Sequence, residues 1–323
     1  MSKAIVVTQL GGPEVLEFKD WPVGDPGPGE LRIRQRAIGV NFVDVYQRSG
    51  LYPGKPPFVA GNEGAGEVVA VGADVTEFKP GDRVAYNGGP GAYAEERLLP
   101  AAKVVPLPDD ISFEDAAAVM LKGLTAYYLL HRTFPVKPNQ TILFHAAAGG
   151  VGLIACSWAK SLGATVIGTA GSDEKAALAL ENGCSHVINY RTQAFAPRVR
   201  ELTGGVGVEV VYDGTGKDNF EASLDCLKPL GMMVSFGNAS GVVSIPDLGI
   251  LARKGSLFLT RPTSNHYFAR REDLLQGAEA LFGALRSRAV RPHIGQRFAL
   301  KDAAEAHRAL EARQTIGSTI LVP

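Results

Sequence analysis

Residues 141–171 read TILFHAAAGGVGLIACSWAKSLGATVIGTAG, which is an apolar run, a cluster of small residues, a helical-period stretch and a second apolar run. That order predicts a strand, a tight turn, a helix and a parallel strand. The spacing Ala147-x-Gly149-x-x-Gly152 gives each small residue a task. Ala147 turns the chain, Gly149 lets the backbone approach a pyrophosphate, and Gly152 lets the helix pack closely on the strand. With Gly150 and Val151 these residues open a helix whose unpaired N–H groups and positive dipole end suit phosphate. The first glycine of the usual fingerprint is alanine here, so the flanking strand–helix–strand context carries the reading.

The end of the second strand decides which dinucleotide fits. An NAD site places a carboxylate there, about 20 residues after the glycines, to hold the ribose hydroxyl. This chain offers Gly171 and Ser172, with Lys175 one turn into the next helix. A small residue, a hydroxyl and an ammonium accept a 2′-phosphate that a carboxylate would repel. Tyr190, closing the third strand, adds a phenol or a stacking face. Asp173 and Glu174 suit the N-terminus of the following helix. The expected cofactor is therefore NADPH rather than NADH.

The rest of the chain divides in style. Ile142–Ala146, Thr165–Thr169, His186–Asn189, Val208–Tyr212, Met232–Phe236 and Leu257–Thr260 are continuous apolar runs separated by helix-like segments. This pattern predicts a six-stranded, doubly wound parallel sheet with its ligand at the C-terminal strand ends. Before residue 110, short runs such as Ala4–Thr8, Leu31–Val40, Gly66–Val71, Arg83–Tyr86 and Ala92–Leu99 alternate with Gly/Pro turns, as in a β-barrel. A helix is predicted from Ser112, capped with Asp115 three residues on, and broken near Gly123. The 323 residues suggest two domains. We expect residues 1–122 and 290–323 in the first, with the late strands returning to it, and 123–289 in the second.

Composition narrows the partners. Lys+Arg and Asp+Glu are 33 each, which removes the bulk electrostatic case for nucleic acid or an anionic membrane. Three scattered cysteines support no disulfide framework. The N-terminus lacks the order of a signal peptide, and the uncharged stretch Pro138–Ala159 is interrupted by proline and glycines. A cytoplasmic protein is expected.

NFVDVYQRSGLYP (Asn41–Pro53), GNEGAGEV (Gly61–Val68), KPGDRV (Lys79–Val84), LKGLTAYYLL (Leu121–Leu130), the glycine loop, GSDEKAALALENG (Gly171–Gly183), SFGNASG (Ser235–Gly241) and LFLTRP (Leu257–Pro262) extend the pattern over the whole chain. Together they resemble the zeta-crystallin-like quinone oxidoreductases of the medium-chain dehydrogenase/reductase superfamily. The resemblance implies an α/β protein: a GroES-like β-barrel catalytic domain beside a Rossmann domain, NADPH as cofactor, and a homodimer. Alcohol dehydrogenases of that superfamily hold zinc with an early Cys and a GHE histidine. Here the slots read Asn41-Phe42-Val43-Asp44 and Gly61-Asn62-Glu63, and no cysteine precedes Cys156. The expectation is no metal.

The implied reaction transfers reducing equivalents from NADPH to a quinone, an acceptor electron-poor enough to need no Lewis acid. Asn41 and Tyr46 are the candidates for orienting its oxygen, with Tyr46 or water as proton donor and Tyr52 as an aromatic wall. Asp44 is expected to fix the loop formed by this Asn41–Tyr52 segment. By analogy, Asn41 and Thr125 lie near the cofactor, Gly214 and Thr215 pass beneath it, and Phe236, Gly237 and Asn238 contact its nicotinamide half. Arg261 reaches the phosphates, and Gly317 and Ser318 form a C-terminal contact. Lys122 either snorkels to solvent or serves the site. The segment Val242–Leu259 is the expected dimer edge. Two alternatives are an NADPH-dependent enone or alkenal double-bond reductase and a non-catalytic NADPH-binding protein of the crystallin or AU-rich-RNA-binding kind.

Overall fold

A computed structural model describes all of residues 1–323. In chain order, β1 (Ser2–Val7), β2 (Leu16–Trp21) and β3 (Glu30–Val40) lead into helix α1 (Phe42–Ser49). Then come β4 (Phe58–Val59), β5 (Glu63–Val71), β6 (Arg83–Asn87), β7 (Glu96–Pro100), β8 (Val104–Pro106) and α2 (Phe113–Tyr128). Strands and helices then alternate: β9 (Thr141–Phe144), α3 (Gly150–Ser161), β10 (Thr165–Ala170), α4 (Asp173–Glu181), β11 (His186–Asn189), α5 (Phe195–Leu202), β12 (Val208–Asp213), α6 (Phe220–Cys226), β13 (Leu227–Ser235), α7 (Gly249–Arg253) and β14 (Phe258–Thr260). The chain ends with α8 (Ser264–Tyr267), α9 (Arg271–Arg286), β15 (Ile294–Ala299), α10 (Ala303–Glu311) and β16 (Ser318–Val322).

Two compact units result. One comprises Met1–Lys122, Leu274–Ala278 and Pro292–Pro323; the other comprises Gly123–Asp273 and Glu279–Arg291. In the first, a sheet of order β15-β16-β3-β5-β6-β8, with β7 also on β3, stands with a three-stranded sheet β2-β1-β4. β16 runs antiparallel to β3, pairing Thr319 with Val40. Alternating inward residues such as Leu31, Ile33, Val68, Val84, Tyr86 and Tyr93 fill its core. In the second unit the parallel order is β11-β10-β9-β12-β13-β14. That is the doubly wound dinucleotide-binding order, whose strand sequence reverses next to β9. Leu143, Ile167, Ile188, Val211 and Met233 pack within its core. No helix is long and apolar enough to cross a membrane.

The structure departs from three sequence expectations. Gly123 does not break a helix: α2 runs unbroken from Phe113 to Tyr128 before one π turn, Leu129–Thr133. A Cβ at Gly123 would lie 2.7 Å from a Leu281 methyl, so the glycine permits close packing of α9. The segment after Asn41 is a helix rather than a loop, because Asn41 and Asp44 form a capping box. Finally, Ala92–Glu95 lies outside the strand that begins at Glu96, apart from one bridge between Ala94 and Ala4. The cap expected at Ser112 is present, its hydroxyl accepting the Asp115 N–H at 3.0 Å.

Candidate active site

The residues singled out in the parallel-sheet unit gather at the C-terminal ends of its strands. After β9, Ala146 adopts a left-handed conformation (φ +52°), costing about 1–2 kcal/mol for a residue with a Cβ. The sharp turn thus falls on Ala146, one residue before the expected Ala147. The Ala146 N–H reaches Thr169 Oγ1 at 3.3 Å, and the buried His145 ring bridges Thr169 Oγ1 (3.0 Å) and Ser223 Oγ (2.9 Å). Burial lowers the His145 pKa to about 3, so this ring is a neutral brace. A Cβ on Gly152 would meet the Ala147 carbonyl oxygen at 2.6 Å, which is why α3 can start so close to β9. Gly149 caps α3 with no side chain over its first-turn N–H groups. They form the ready anion cradle of a helix start.

The neighbouring strand ends supply the remaining groups. Ser172 caps α4, its Oγ accepting the Lys175 N–H at 3.3 Å. The register pairs Ala170 with Asn189, so Gly171 and Tyr190 are neighbours. A Cβ on Gly171 would lie 2.6 Å from the Tyr190 hydroxyl. Below Gly214 and Thr215, Asp213 accepts N–H groups from Thr215 (2.8 Å) and Gly216 (3.1 Å). Burial raises the Asp213 pKa to about 6 against those hydrogen bonds. The Phe236 N–H bonds to the Asp213 carbonyl (2.8 Å), and a Cβ on Gly214 would touch the Phe236 ring at 3.0 Å. Arg261 donates to the Ser235 carbonyl at 2.8 Å. Asn238 bridges Arg261 and the Gly237 carbonyl, each at 3.0 Å, its amide orientation following from those partners. Thr125 is buried on α2.

In the barrel unit the candidates rest on a buried polar network that sequence reasoning largely missed. Asn41 Nδ2 donates to Glu63 Oε1 at 2.8 Å, and Lys122 Nζ reaches the same oxygen at 2.7 Å. The Leu121 N–H occupies Glu63 Oε2. Lys122 therefore does not snorkel: its side chain is 6% exposed and that of Glu63 0%. Asp44 accepts the Asn41 N–H (2.8 Å), the Tyr93 hydroxyl (2.9 Å) and an Asn62 N–H. Burial raises its pKa to about 6 despite these donors, with Glu63 nearby adding repulsion. Tyr46 is buried, its ring edge-on to Tyr52 at 5.1 Å. Gly317 is left-handed beside His293, and the Ser318 hydroxyl donates to the Ala118 carbonyl at 2.8 Å.

The chain behind Asp44 has a defined direction. Arg48 Nη1 lies 3.0 Å from His307 Nδ1, and a guanidinium can only donate. Nδ1 is therefore the acceptor, Nε2 carries the proton, and it donates to Tyr93 Oη at 3.1 Å. Tyr93 in turn donates to Asp44; burial and that carboxylate hold its phenol pKa well above the usual range. Arg48 is anchored bidentately by Glu311 at 3.0 and 2.8 Å. The arginine cannot release a proton, so the chain is a clamp on α1 and not a proton wire.

Comparison with known proteins accords with these two units. Residues 27–109 match the alcohol dehydrogenase GroES-like domain, and residues 150–276 match the zinc-binding dehydrogenase family. A quinone oxidoreductase of Pseudomonas aeruginosa is 56% identical, over 100% of both chains. The chain belongs to the quinone oxidoreductase family. The crystal structure of the Escherichia coli quinone oxidoreductase complexed with NADPH is 49% identical with a TM-score of 0.98, covering 99% of this chain and 100% of that one. A 2-haloacrylate reductase of a Burkholderia species is 48% identical over 100% of this chain and 99% of its own. The fold expectation, a GroES-like barrel with a Rossmann sheet, is what the family shows.

The zinc named in one family description finds no ligand set in this quinone oxidoreductase chain. No three His, Cys, Asp or Glu side chains converge as a metal site. Asn62 stands where a GHE histidine would, and its amide is engaged by Asp44 and Gln47. Glu63 already carries Lys122.

His307 makes the network testable through stability. Burial and the neighbouring Arg48 charge lower its pKa from 6.5 to about 3. On acidification the unfolded chain takes up this proton first, so the native contribution is present above pH 6.5 and is lost as pH falls toward 3. His307→Gln removes the titrating group. In denaturant titrations the stability advantage of wild type over His307→Gln should shrink by about 1.4 kcal/mol per pH unit below pH ~6. A difference independent of pH would contradict a neutral, buried His307.

Proposed function

We propose that this chain is an NADPH:quinone oxidoreductase that works without a metal. The observation that carries the reading is the arrangement of side chains at the ends of β10 and β11. Gly171 leaves room only for the Tyr190 hydroxyl, and Ser172 and Lys175 stand where an NAD site needs a carboxylate. The crystal structure of the Escherichia coli relative with NADPH supports the same cofactor. The cradle at Gly149–Gly152 would hold the pyrophosphate, with Arg261 as a further phosphate partner. Gly214, Thr215, Phe236, Gly237 and Asn238 would line the nicotinamide half, with Thr125, Gly317 and Ser318 as additional contacts. When bound, NADPH supplies the hydride.

The barrel residues then orient the acceptor. Asn41 has one amide N–H fixed by Glu63, which leaves its second to address an acceptor oxygen or the cofactor. Tyr46, with Tyr52 against its ring, would orient the acceptor and pass a proton, directly or through water. Lys122 in Glu63 and the missing ligand set support metal-free chemistry, for which an electron-poor quinone is a suitable acceptor. The 2-haloacrylate reductase among the relatives favours one second reading, reduction of an activated carbon–carbon double bond.

The separating experiment follows NADPH oxidation with 1,4-benzoquinone, an activated enone and an aldehyde, with NADH as control. Quinone turnover should exceed the others and NADPH should be preferred at least about tenfold, as expected when a buried or partly buried phosphate finds charged partners. Enone rates far above quinone rates would move the assignment to a double-bond reductase. Equal use of NADH would refute the reading of Gly171, Ser172 and Lys175.

We also propose a homodimer formed through the edge of the parallel sheet. β14 is the terminal strand there, and Phe258 on it is 56% exposed, with Leu230, Val242 and Leu248 also exposed. A terminal strand carrying an exposed aromatic, with Leu230 on the neighbouring strand and Val242 and Leu248 outside the strands, suits symmetric pairing. Three unpaired, buried cysteines fit a reducing, cytoplasmic compartment. Light scattering should give twice the 34.2 kDa chain mass for wild type and the monomer mass for Phe258→Glu. A monomeric wild type would overturn the dimer.

A further inference from the structure

The proposed 2′-phosphate pocket contains a conflict that its named residues do not resolve. Ser172, Lys175 and Tyr190 suit a phosphate, yet Asp173 begins the same helix turn as Lys175. A carboxylate in that turn repels a phosphate bound beside it. Asp173 is not left loose. Asn189 Nδ2 donates to Asp173 Oδ1 at 2.8 Å.

Asn189 is itself held in place. Its Oδ1 accepts the Arg191 N–H at 3.1 Å, which turns the amide nitrogen toward α4. Its backbone carbonyl accepts the Gln193 N–H at 3.0 Å, and its Cα is in register with Ala170. The residue thus joins the two segments of the proposed pocket: Ser172, Asp173 and Lys175 at the start of α4, and Tyr190 and Arg191 after β11. One side chain fixes where the Asp173 charge sits and offsets part of it.

We infer that Asn189 is a specificity-determining positioning residue, which by tethering Asp173 lets the Ser172–Lys175–Tyr190 pocket discriminate the 2′-phosphate of NADPH from the hydroxyl of NADH. The inference rests on the NADPH reading above. It acts through Asp173 rather than through contact with the nucleotide. Without the tether, the carboxylate samples positions beside the phosphate, and the penalty falls on NADPH alone.

The test is a double-mutant cycle read by equilibrium binding of NADPH and of NADH, using tryptophan quenching or calorimetry without any acceptor present. Asn189→Ala should weaken NADPH binding about three- to fivefold and leave the NADH Kd within about twofold, the scale of one partly exposed charge interaction. The loss should diminish as salt is raised. In an Asp173→Asn background the Asn189→Ala change should cost less than twofold, because no carboxylate remains to be released. An unchanged NADPH Kd in Asn189→Ala, or an equal loss in both backgrounds, would overturn the inference while leaving the cofactor reading intact. An equal loss for NADPH and NADH would mark Asn189 as merely structural and overturn it too. Wild type that binds both dinucleotides equally would overturn the cofactor reading, and the inference with it.

Discussion

Lys122 and Glu63 meet as an ion pair in a volume from which water is excluded, and the buried polar network of the barrel unit is organised around that contact. Two charges in such a place are tolerable only when their remaining hydrogen-bonding capacity is met. Here Glu63 takes Lys122, the Asn41 amide and the Leu121 N–H. Removing either charge would leave the other uncompensated, at a cost of about 3–5 kcal/mol. The pair thereby ties β5 to the C-terminal half of the barrel unit's share of α2 and sets the Asn41 amide. Asp44, one turn into α1, receives the other end of the Asn41 residue and is locked in turn by Tyr93, His307 and Arg48. Orientation of a small acceptor, the role proposed for these residues, demands such stiffness, because alignment can supply a large part of a rate enhancement.

The parallel-sheet unit solves a different problem with different means. There close approach of elements is achieved by removing side chains: Gly152 lets α3 start against the Ala147 carbonyl, and Gly171 makes room for the Tyr190 hydroxyl. The left-handed Ala146 shows local strain at the turn that aims the cradle. In the proposed 2′-phosphate site charge selection would fall to few groups, and their neutral neighbours would matter beside the cations. Asn189 holding Asp173 is one such neighbour.

Much of this was legible in the sequence where the signal was local. Continuous apolar runs reported strands buried on both faces, and β11 and α4 fall at His186–Asn189 and Asp173–Glu181 as their flanking residues indicate. Ser172 reads as an N-cap because capping is decided within three residues. α1 is equally local in its signal, since Asn41 followed by Asp44 is a capping box, although the same residues also suit a binding loop. Gly123 misled for the opposite reason, since its purpose lies with Leu281, far along the chain. Lys122 could not be decided at all from its neighbours. Its partner Glu63 is 59 residues away, and only β5 and α2 packed together bring them within 2.7 Å. The same holds for Arg48, Tyr93 and His307, which come from α1, the segment before β7, and α10.

In the proposed function an internal cation, Lys122 on Glu63, and a rigid polar clamp, Arg48, His307 and Tyr93 on Asp44, stand in the barrel unit in place of a bound metal. Quinone turnover after exhaustive dialysis against a chelator, with metal content determined on the same sample, decides whether a metal takes part. A metal-free reaction gives undiminished turnover at far less than one metal per chain, unaffected by added zinc. Activity that disappears with the chelator and returns in proportion to added zinc would contradict it.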